Sequence, residues 1–266
     1  MTPGRADVEV LRGILRRHGS LVVAYSGGAD SAFLATVAHQ VLGDRMVAVT
    51  AVSPSLAALE RADAAGFAAE RGFRHVEVDT DEMERAAYQA NGADRCFWCK
   101  DALMDALAPI ADDLGAAVAL GVNLDDLGDH RPGQEAAATR GAVFPLVDAG
   151  FSKADVRARS RALGLRTWDK PAAPCLASRV PYGTEVTVTV LSKIERAEAG
   201  VRALGFRDVR VRHLDDTARI EVPDAELPEL VARRAEVVDA VRSAGYRRVT
   251  IDLEGLRSGN LNDDLP

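Results

Sequence analysis

The chain has little sulfur: among its 266 residues, cysteine occurs only at positions 96, 99 and 175. No apolar run approaches the roughly 20 residues that a membrane-spanning helix needs. The first ten residues, MTPGRADVEV, lack the apolar core of a signal peptide. We therefore expect a cytoplasmic protein with no membrane contact, in which thiols stay reduced. A C-x-x-C pair in such a protein more often serves metal or redox chemistry than a structural disulfide.

Lysine is also scarce, since the basic residues are mostly arginine and lysine occurs only at positions 100, 153, 170 and 193. The formal net charge is −7 and the sequence pI is about 5.3. This balance argues against a protein that binds bulk nucleic acid, because such binding needs a basic face. It leaves room for a local basic pocket.

Strands and helices alternate along the first part of the chain. Short apolar runs at 21–25, 46–52, 75–80 and 116–122 are typical of buried strands, and segments with helical spacing separate them. Such alternation predicts right-handed βαβ units and a parallel, Rossmann-like sheet with helices on both faces. The fold class is therefore α/β.

The pattern changes at a proline-rich stretch, KPAAPCLASRVPYG, at 170–183. Beyond it we expect helices at 191–204 and 225–244, two strands joined by a turn at Asp215–Thr217, and a last strand near 247–253. We therefore predict a first domain at 1–170. A junction loop and a small α+β domain for substrate binding or oligomerisation follow at 171–266.

The segment between the first strand and its helix reads S-G-G-A-D-S. Glycine lets the backbone approach a ligand closely, and the amides at a helix N-terminus form an anion site. The segment is neither a G-x-x-x-x-G-K-[ST] P-loop nor a G-x-G-x-x-G fingerprint. It resembles the PP-loop of the ATP pyrophosphatases, whose fold is adenine nucleotide α hydrolase-like. The resemblance implies that Ser26, Gly27, Gly28, Asp30 and Ser31 hold the phosphates of ATP and their Mg²⁺.

Three further stretches narrow this resemblance: VTAVSPSL at 49–56, GVNLDDLGDHRPG at 121–133 and PCLASRVPYG at 174–183. Together they resemble the LarE family of sulfur transferases, which build the nickel-pincer nucleotide cofactor. The family converts the carboxylates of pyridinium-3,5-biscarboxylic acid mononucleotide to thiocarboxylates with ATP. The resemblance implies an AMP- and pyrophosphate-forming enzyme, a small nucleotide substrate and a homo-oligomer, a hexamer in the family.

The resemblance also assigns roles to single residues. Cys175 takes the place of the sulfur-handling cysteine, which in many members gives up its own sulfur, and Ser178 and Arg179 orient the substrate or the adenylate. Asp126, Asp129 and Arg131 organise the nucleotide side of the site in this resemblance. By the same resemblance, Trp98 and Glu198 contact the substrate.

Arg210 and Arg212 alternate with valines at 209 and 211. On a strand, residues i and i+2 share a face, so the two guanidinium groups point the same way. Arginine suits bidentate phosphate contacts, and the family resemblance favours a site for the phosphate of the mononucleotide. The alternative is an ordinary solvated strand face.

Cys96 and Cys99 stand at the expected start of a helix at about 98–114, where the helix dipole favours thiolates. A subset of LarE-like proteins carries the same three cysteines. On that resemblance we expect Cys96, Cys99 and Cys175 to hold a [4Fe–4S] cluster whose fourth iron binds exogenous sulfide. The alternatives are structural zinc, a redox pair that protects a sacrificial Cys175, and a plain buried pair.

Two other functions compete with a sulfur transferase acting on a small nucleotide. A PP-loop tRNA thiolase uses the same activation chemistry, but it calls for a basic surface. A non-catalytic nucleotide-binding or redox-sensing protein would need neither S-G-G-x-D-S nor the junction motif. The sequence does not identify the physiological sulfur donor.

Overall fold

Four strands of the first half of the chain form one all-parallel sheet in a Rossmann-like arrangement, as the alternating pattern predicts. In the computed structural model, which describes residues 7–128 and 132–257, the spatial order is β3-β2-β1-β4. The strands are β1 (Leu21–Ala24), β2 (Met46–Val52), β3 (His75–Asp79) and β4 (Ala117–Leu120).

This sheet belongs to the first of two compact units, which contains the described residues up to Glu82 and Cys96–Ala173. Its helices are α1 (Val8–His18), α2 (Ala29–Leu42), α3 (Ala58–Arg71), α5 (Arg95–Leu114), α6 (Pro132–Thr139), α7 (Pro145–Asp148) and α8 (Lys153–Ala162). None of the helices within the described ranges is long and apolar enough to cross a membrane.

Both faces of the parallel sheet are buried, because alternate side chains of each strand enter different cores. Leu21 and Val23 pack in one cluster with residues of α1 and α2. Val22 packs in the other cluster with Leu103 and Leu107 of α5. Continuous apolar strands of this kind are expected where helices cover both faces.

The strand order places a topological switch point between β1 and β4. The chain moves from β1 to β2 and β3 on one side, and β4 then joins β1 on the other side. In open α/β sheets, ligands bind outside the carboxyl ends of the strands at such a point. The S-G-G-A-D-S loop follows β1 and the G-V-N-L-D-D segment follows β4, so both segments start at the switch point.

The second unit contains Met83–Arg95 and the described residues from Pro174 onward. Its strands are β5 (Arg210–Leu214), β6 (Thr217–Glu221) and β7 (Arg248–Ile251), and its helices are α4 (Ala86–Gln89), α9 (Val188–Ala203), α10 (Leu227–Ala232) and α11 (Arg234–Ser243). β5 and β6 pair antiparallel through the predicted tight turn, and β7 pairs parallel to β6. Asp215 in the turn has a positive φ of 51°.

The single helix expected at 225–244 is wrong. A 3-10 turn at Asp224–Glu226 precedes α10, and the chain breaks again at Arg233 before α11 begins. Pro228 lies at the start of α10, where its missing N–H costs nothing, whereas inside a long helix it would remove a hydrogen bond. The apolar spacing continues across the break, so the pattern alone does not reveal it.

Candidate functional site

Hydrogen bonds of two serine hydroxyls stabilise the loop between β1 and α2. The Ser26 and Ser31 hydroxyl oxygens lie 3.1 Å apart, and the Ser31 hydroxyl donates to the Gly28 carbonyl at 3.2 Å. The Gly28 amide points towards the Ser26 hydroxyl at 3.4 Å. No side chain caps the N-terminus of α2 at Gly28. The first amides of this 14-residue helix therefore have no side-chain acceptor at the cap, and they are suited to an anion.

Two glycines allow the backbone around this loop to pack closely. Gly27 has a φ of 71°, and a Cβ added there would lie 2.7 Å from the Ala64 Cβ on α3. A Cβ added at Gly121, directly after β4, would lie 2.9 Å from the Ser31 backbone nitrogen. Both positions therefore exclude a side chain, and the loop is held between α3 and the end of β4.

Carboxylates line the neighbouring segment after β4. The Asn123 side-chain amide donates to Asp30 at 3.2 Å, and the Asn123 backbone amide donates to the Asp126 carboxylate at 3.1 Å. Burial raises the pKa of the Asp30 carboxyl, the hydrogen bond from Asn123 lowers it, and the negative charge of Asp126 raises it again. Two carboxylates that repel each other beside a phosphate-type loop fit a hard cation such as Mg²⁺, which prefers oxygen ligands.

Asn123 was missed in the sequence analysis, although it precedes the two aspartates by only a few residues. Its side-chain oxygen also accepts from the Asp125 amide at 3.0 Å, and the Asp125 carboxylate accepts from the Lys153 amide at the start of α8 at 2.8 Å. The Asn123 side chain is thus hydrogen-bonded to Asp30 through its nitrogen and to the Asp125 backbone through its oxygen. The other expected residues of this loop, Asp129 and Arg131, lie outside the described residues.

Cys96 and Cys99 lie in the first turn of α5, close to the expected helix start. Residues three apart on a helix are neighbours on one face, so the pair can bind one group. Cys96 is exposed and Cys99 is half-buried. A Cβ added at Gly133 of α6 would lie 2.7 Å from the Cys96 carbonyl oxygen, so α6 packs directly on this turn. The Trp98 ring packs edge-on against Phe97 with 5.3 Å between centroids.

In the second unit, Cys175 directly precedes a 3-10 turn, Leu176–Arg179. The Arg179 guanidinium donates to the Pro174 carbonyl at 2.7 Å, to the Cys175 carbonyl at 3.2 Å and to the Ser178 hydroxyl at 3.0 Å. Arg179 therefore holds the segment that carries Cys175 through three hydrogen bonds from its guanidinium group. Cys175 itself is half-buried.

Glu198 of α9 is fully buried and holds this turn in place. Its carboxylate accepts from Arg179 Nε at 2.8 Å, from Arg202 at 2.8 Å and from the Val211 backbone amide of β5 at 3.1 Å. A buried carboxylate is tolerated only when it is paired and hydrogen-bonded in this way.

Arg210 and Arg212 are also buried, with 8% and 4% of their surface exposed, so the strand face that they share is not the solvated face of the alternative interpretation. Arg212 forms a bidentate pair with Glu221 at 2.7 and 3.0 Å, and it donates to the Ser178 carbonyl at 2.7 Å.

Arg210 differs from Arg212 in its partners. It donates to the Arg257 carbonyl at 2.8 Å, and no carboxylate of the described residues lies within ion-pair distance of it. Burial lowers the pKa of Arg210, the positive charges of Arg179 and Arg212 lower it further, and the carboxylates of Glu221 and Glu198 offset part of this. An anion bound beside Arg210 would relieve this repulsion.

A third arginine beside the 3-10 turn at Leu176–Arg179, here called the junction turn, was not expected from the sequence. Arg95, 3% exposed, donates to the Ala177 carbonyl at 2.9 Å, and its guanidinium lies 5.6 Å from the centre of the Tyr182 ring. The neighbouring Asn91 donates to the Pro181 and Thr184 carbonyls at 2.7 and 2.8 Å. These contacts attach the segment that leads into Cys96 to the segment that follows Cys175.

All three cysteines are thiols in the structure. Within the described part of each unit, no three His, Cys, Asp or Glu side chains are already gathered as a metal site. The donor set nevertheless fits an iron–sulfur group, because two thiols share one helix face and iron–sulfur clusters are held by thiolates.

The buried position of Glu198 leads to a stability prediction. We expect Glu198→Gln to lower the free energy of unfolding by about 3–5 kcal/mol, because the change leaves Arg179 and Arg202 without their buried counter-charge. Urea unfolding followed by circular dichroism measures this. Glu236→Gln, which affects only the exposed pair with Arg233, serves as the control and should change stability little. Equal, small changes in both variants would contradict the structural role of Glu198.

Known proteins resemble the chain along nearly its whole length, although no family model matches it. An uncharacterised protein of Synechocystis sp. is 46% identical over 260 residues, which cover 97% of each chain. The pyridinium-3,5-bisthiocarboxylic acid mononucleotide synthase of Lactiplantibacillus plantarum is 38% identical over 92% of this chain and 90% of its own. An uncharacterised protein of Methanocaldococcus jannaschii is 25% identical over 91% of this chain and 92% of its own. With a relative of this identity along nine-tenths of both chains, and with the loop and junction motifs set out as described above, the chain belongs to the LarE family.

Proposed function

We propose that this protein is a cytoplasmic, ATP-dependent sulfur transferase that converts the carboxylates of pyridinium-3,5-biscarboxylic acid mononucleotide to thiocarboxylates. The observation that carries the proposal is the S-G-G-A-D-S loop at the switch point of the sheet, with the carboxylates of Asp30 and Asp126 beside it. The relative from Lactiplantibacillus plantarum, named for the bisthiocarboxylic acid product, supports the choice of substrate.

The chemistry requires activation of the substrate, because a carboxylate is a poor electrophile. A carboxylate oxygen of the substrate attacks the α-phosphorus of ATP, and the bond to the bridging oxygen breaks to release pyrophosphate. The resulting acyl adenylate has a good leaving group. A sulfur nucleophile then adds to the carbonyl carbon and AMP departs, so a carbon–sulfur bond replaces a carbon–oxygen bond. The amides of Gly27 and Gly28 and the hydroxyls of Ser26 and Ser31 are suited to the phosphates.

Asp30 and Asp126 are the residues that would hold Mg²⁺. Asn123 fixes the orientation of Asp30, and the two carboxylates are close enough for the charge of Asp126 to raise the pKa of Asp30. Magnesium would supply positive charge to the phosphate oxygens as negative charge develops on the departing pyrophosphate.

The buried arginines of β5 form the proposed site for the phosphate of the mononucleotide. Arg212 is already paired with Glu221, whereas no carboxylate of the described residues lies within ion-pair distance of Arg210. Ser178 and Arg179 link this site to Cys175, since the Ser178 carbonyl accepts from Arg212 and the Arg179 guanidinium contacts the Cys175 carbonyl. Glu198 positions Arg179, and Trp98 is proposed as a further substrate contact.

For the sulfur, we propose that Cys96, Cys99 and Cys175 hold a [4Fe–4S] cluster. Such a cluster would supply an iron without a protein thiolate, where exogenous sulfide can bind. The contact between Arg95 and Ala177 supports the proposal, because Arg95 immediately precedes Cys96 in the sequence and Ala177 lies two residues after Cys175. In this scheme Cys175 is a ligand and keeps its own sulfur.

The first prediction concerns the fate of ATP. Incubated with substrate and Mg²⁺, the protein should form AMP and pyrophosphate, and Asp30→Ala should abolish this by removing a metal ligand. Cys175→Ala should still release pyrophosphate, because it lacks only the sulfur-handling thiol. Product analysis by chromatography measures both. Formation of ADP and phosphate would refute the mechanism, and release that depends on tRNA in place of the pyridinium nucleotide would favour a tRNA thiolase.

The second prediction concerns the substrate phosphate. Arg210→Ala should weaken binding of the mononucleotide about tenfold or more, since charge-assisted hydrogen bonds contribute about 1.5–3 kcal/mol. ATP affinity should not change. Arg212→Ala should weaken substrate binding to a similar extent and also destabilise the fold, because it leaves Glu221 buried without its partner. Isothermal titration measures both affinities.

Arg247→Ala is the matched control for these two arginines. Arg247 lies just before β7 with 77% of its side chain exposed, it pairs with Asp216, and it is not part of the proposed site. Unchanged substrate affinity in both Arg210→Ala and Arg212→Ala would reject the phosphate site.

The third prediction concerns the cluster. Anaerobic reconstitution with iron and sulfide should give about four irons per chain and a broad absorbance in the blue. Cys96→Ala, Cys99→Ala and Cys175→Ala should each lose both signals. A reconstituted wild-type protein without iron would refute the cluster. If a single turnover removed the mass of one sulfur from Cys175, the protein would instead use the sacrificial route.

A further inference from the structure

Lys170 makes a contact with the phosphate-type loop that neither the motifs nor the family comparison indicates. Its ammonium lies 3.2 Å from the Gly27 carbonyl oxygen, 2.6 Å from the Asp63 carboxylate and 2.8 Å from the Glu60 carboxylate. Only 15% of the side chain is exposed. Lysine is scarce in this chain. The ammonium of this lysine has three acceptors in the first unit, which are one loop carbonyl and two carboxylates of α3.

The position of the Gly27 carbonyl decides which way the following amide points. A trans peptide is planar, and its C=O and N–H groups point in opposite directions. Because Lys170 holds the Gly27 carbonyl on the side of α3, the Gly28 N–H is turned to the other side, where it points towards the Ser26 hydroxyl. That side is the interior of the loop, in which an anion would sit.

Within the described residues, Lys170 is the side chain that hydrogen-bonds the Gly27 carbonyl. Gly27 has a positive φ of 71° and carries no side chain, so glycine could adopt several backbone conformations here. α3 itself does not depend on Lys170, since the Tyr25 hydroxyl donates to the Ala64 carbonyl at 3.0 Å and Arg166 pairs with Asp63 and Glu70. The contact peculiar to Lys170 is therefore the one with the loop.

The backbone of Lys170 is also fixed by hydrogen bonds, so its side chain extends from a fixed position to the loop. The Lys170 amide donates to the Thr167 carbonyl at 3.2 Å, and its carbonyl accepts from Arg157 of α8 at 3.3 Å. Glu60 and Asp63 together balance its charge. The ammonium therefore orients a backbone carbonyl and is not itself free to bind a phosphate.

We propose that Lys170 is a positioning residue for the phosphates of ATP, which holds the Gly27–Gly28 peptide so that the Gly28 amide faces the nucleotide. This inference rests on the proposed use of ATP by the same loop. It gives a function to a residue that touches neither substrate nor metal. It also requires a hydrogen-bond donor at this position, because an apolar side chain of the same length, such as methionine, cannot bind the Gly27 carbonyl.

The test compares Lys170→Met with Lys170→Arg. Isothermal titration with Mg²⁺ and a non-hydrolysable ATP analogue should show about tenfold weaker binding for Lys170→Met, the loss expected for a hydrogen bond to a charged group. Lys170→Arg should recover most of the affinity. Adenosine, which has no phosphate, should bind wild type and Lys170→Met equally. Lys193→Met, in which the lost ammonium lies over the Tyr246 ring of the second unit, is the matched control and should bind like wild type.

Two further measurements separate positioning from mere bracing of α3. The double change Glu60→Gln and Asp63→Asn removes the ion pairs but keeps the lysine, so it should cost less affinity than Lys170→Met. An equal loss would overturn the positioning role. Hydrogen exchange of the peptide that covers 26–31, measured without any ligand, should be faster in Lys170→Met and close to wild type in Lys170→Arg. Identical exchange in all three proteins would also overturn it.

The proposal and the proposed function fail in different ways. If the wild-type protein binds no ATP analogue, the proposed function is refuted, and the exchange experiment still shows whether Lys170 orders the loop. If wild type and Lys170→Met bind the analogue equally well, the role of Lys170 is refuted and the use of ATP stands.

Discussion

The second unit is organised around the buried carboxylate of Glu198. A charge inside a protein must be compensated by partners with good geometry, and Glu198 takes its partners from three places: the junction turn through Arg179, its own helix through Arg202, and β5 through the Val211 amide. The position of the turn that carries Cys175 follows from this requirement. So does the orientation of β5, which directs Arg210 and Arg212 to the face opposite the apolar core.

The first unit follows a different constraint, which is the close approach of backbone segments at the switch point of the sheet. Gly27 packs on α3 and Gly121 packs on the start of α2, and neither position has room for a Cβ. This packing brings amides suited to phosphate and carboxylates suited to a cation to the same edge of the sheet. A magnesium nucleotide would require both, because its phosphates need hydrogen-bond donors and its cation needs oxygen ligands.

Much of this architecture could be predicted from sequence. The parallel sheet follows from alternating apolar strands and amphipathic helices, and the phosphate-type loop is a contiguous motif whose chemistry is local. The break at Arg233 could not be predicted, because the apolar spacing of α10 and α11 continues across it. The partners of the arginines could not be predicted either, since Arg212 and Glu221 are paired only by the register of β5 and β6.

The sequence by itself determined which residue types are available and their local spacing: the S-G-G-A-D-S loop, the two cysteines three apart in the first turn of α5, and the alternation of valine and arginine on β5. Only the tertiary structure decided that Glu198 is buried beneath the junction turn, that Asn123 orients Asp30, and that Lys170 reaches back across 143 positions to the Gly27 carbonyl. The physical reason is that local motifs depend on backbone conformation and nearby spacing. These contacts depend instead on side chains that are distant in sequence and are brought together when each unit folds.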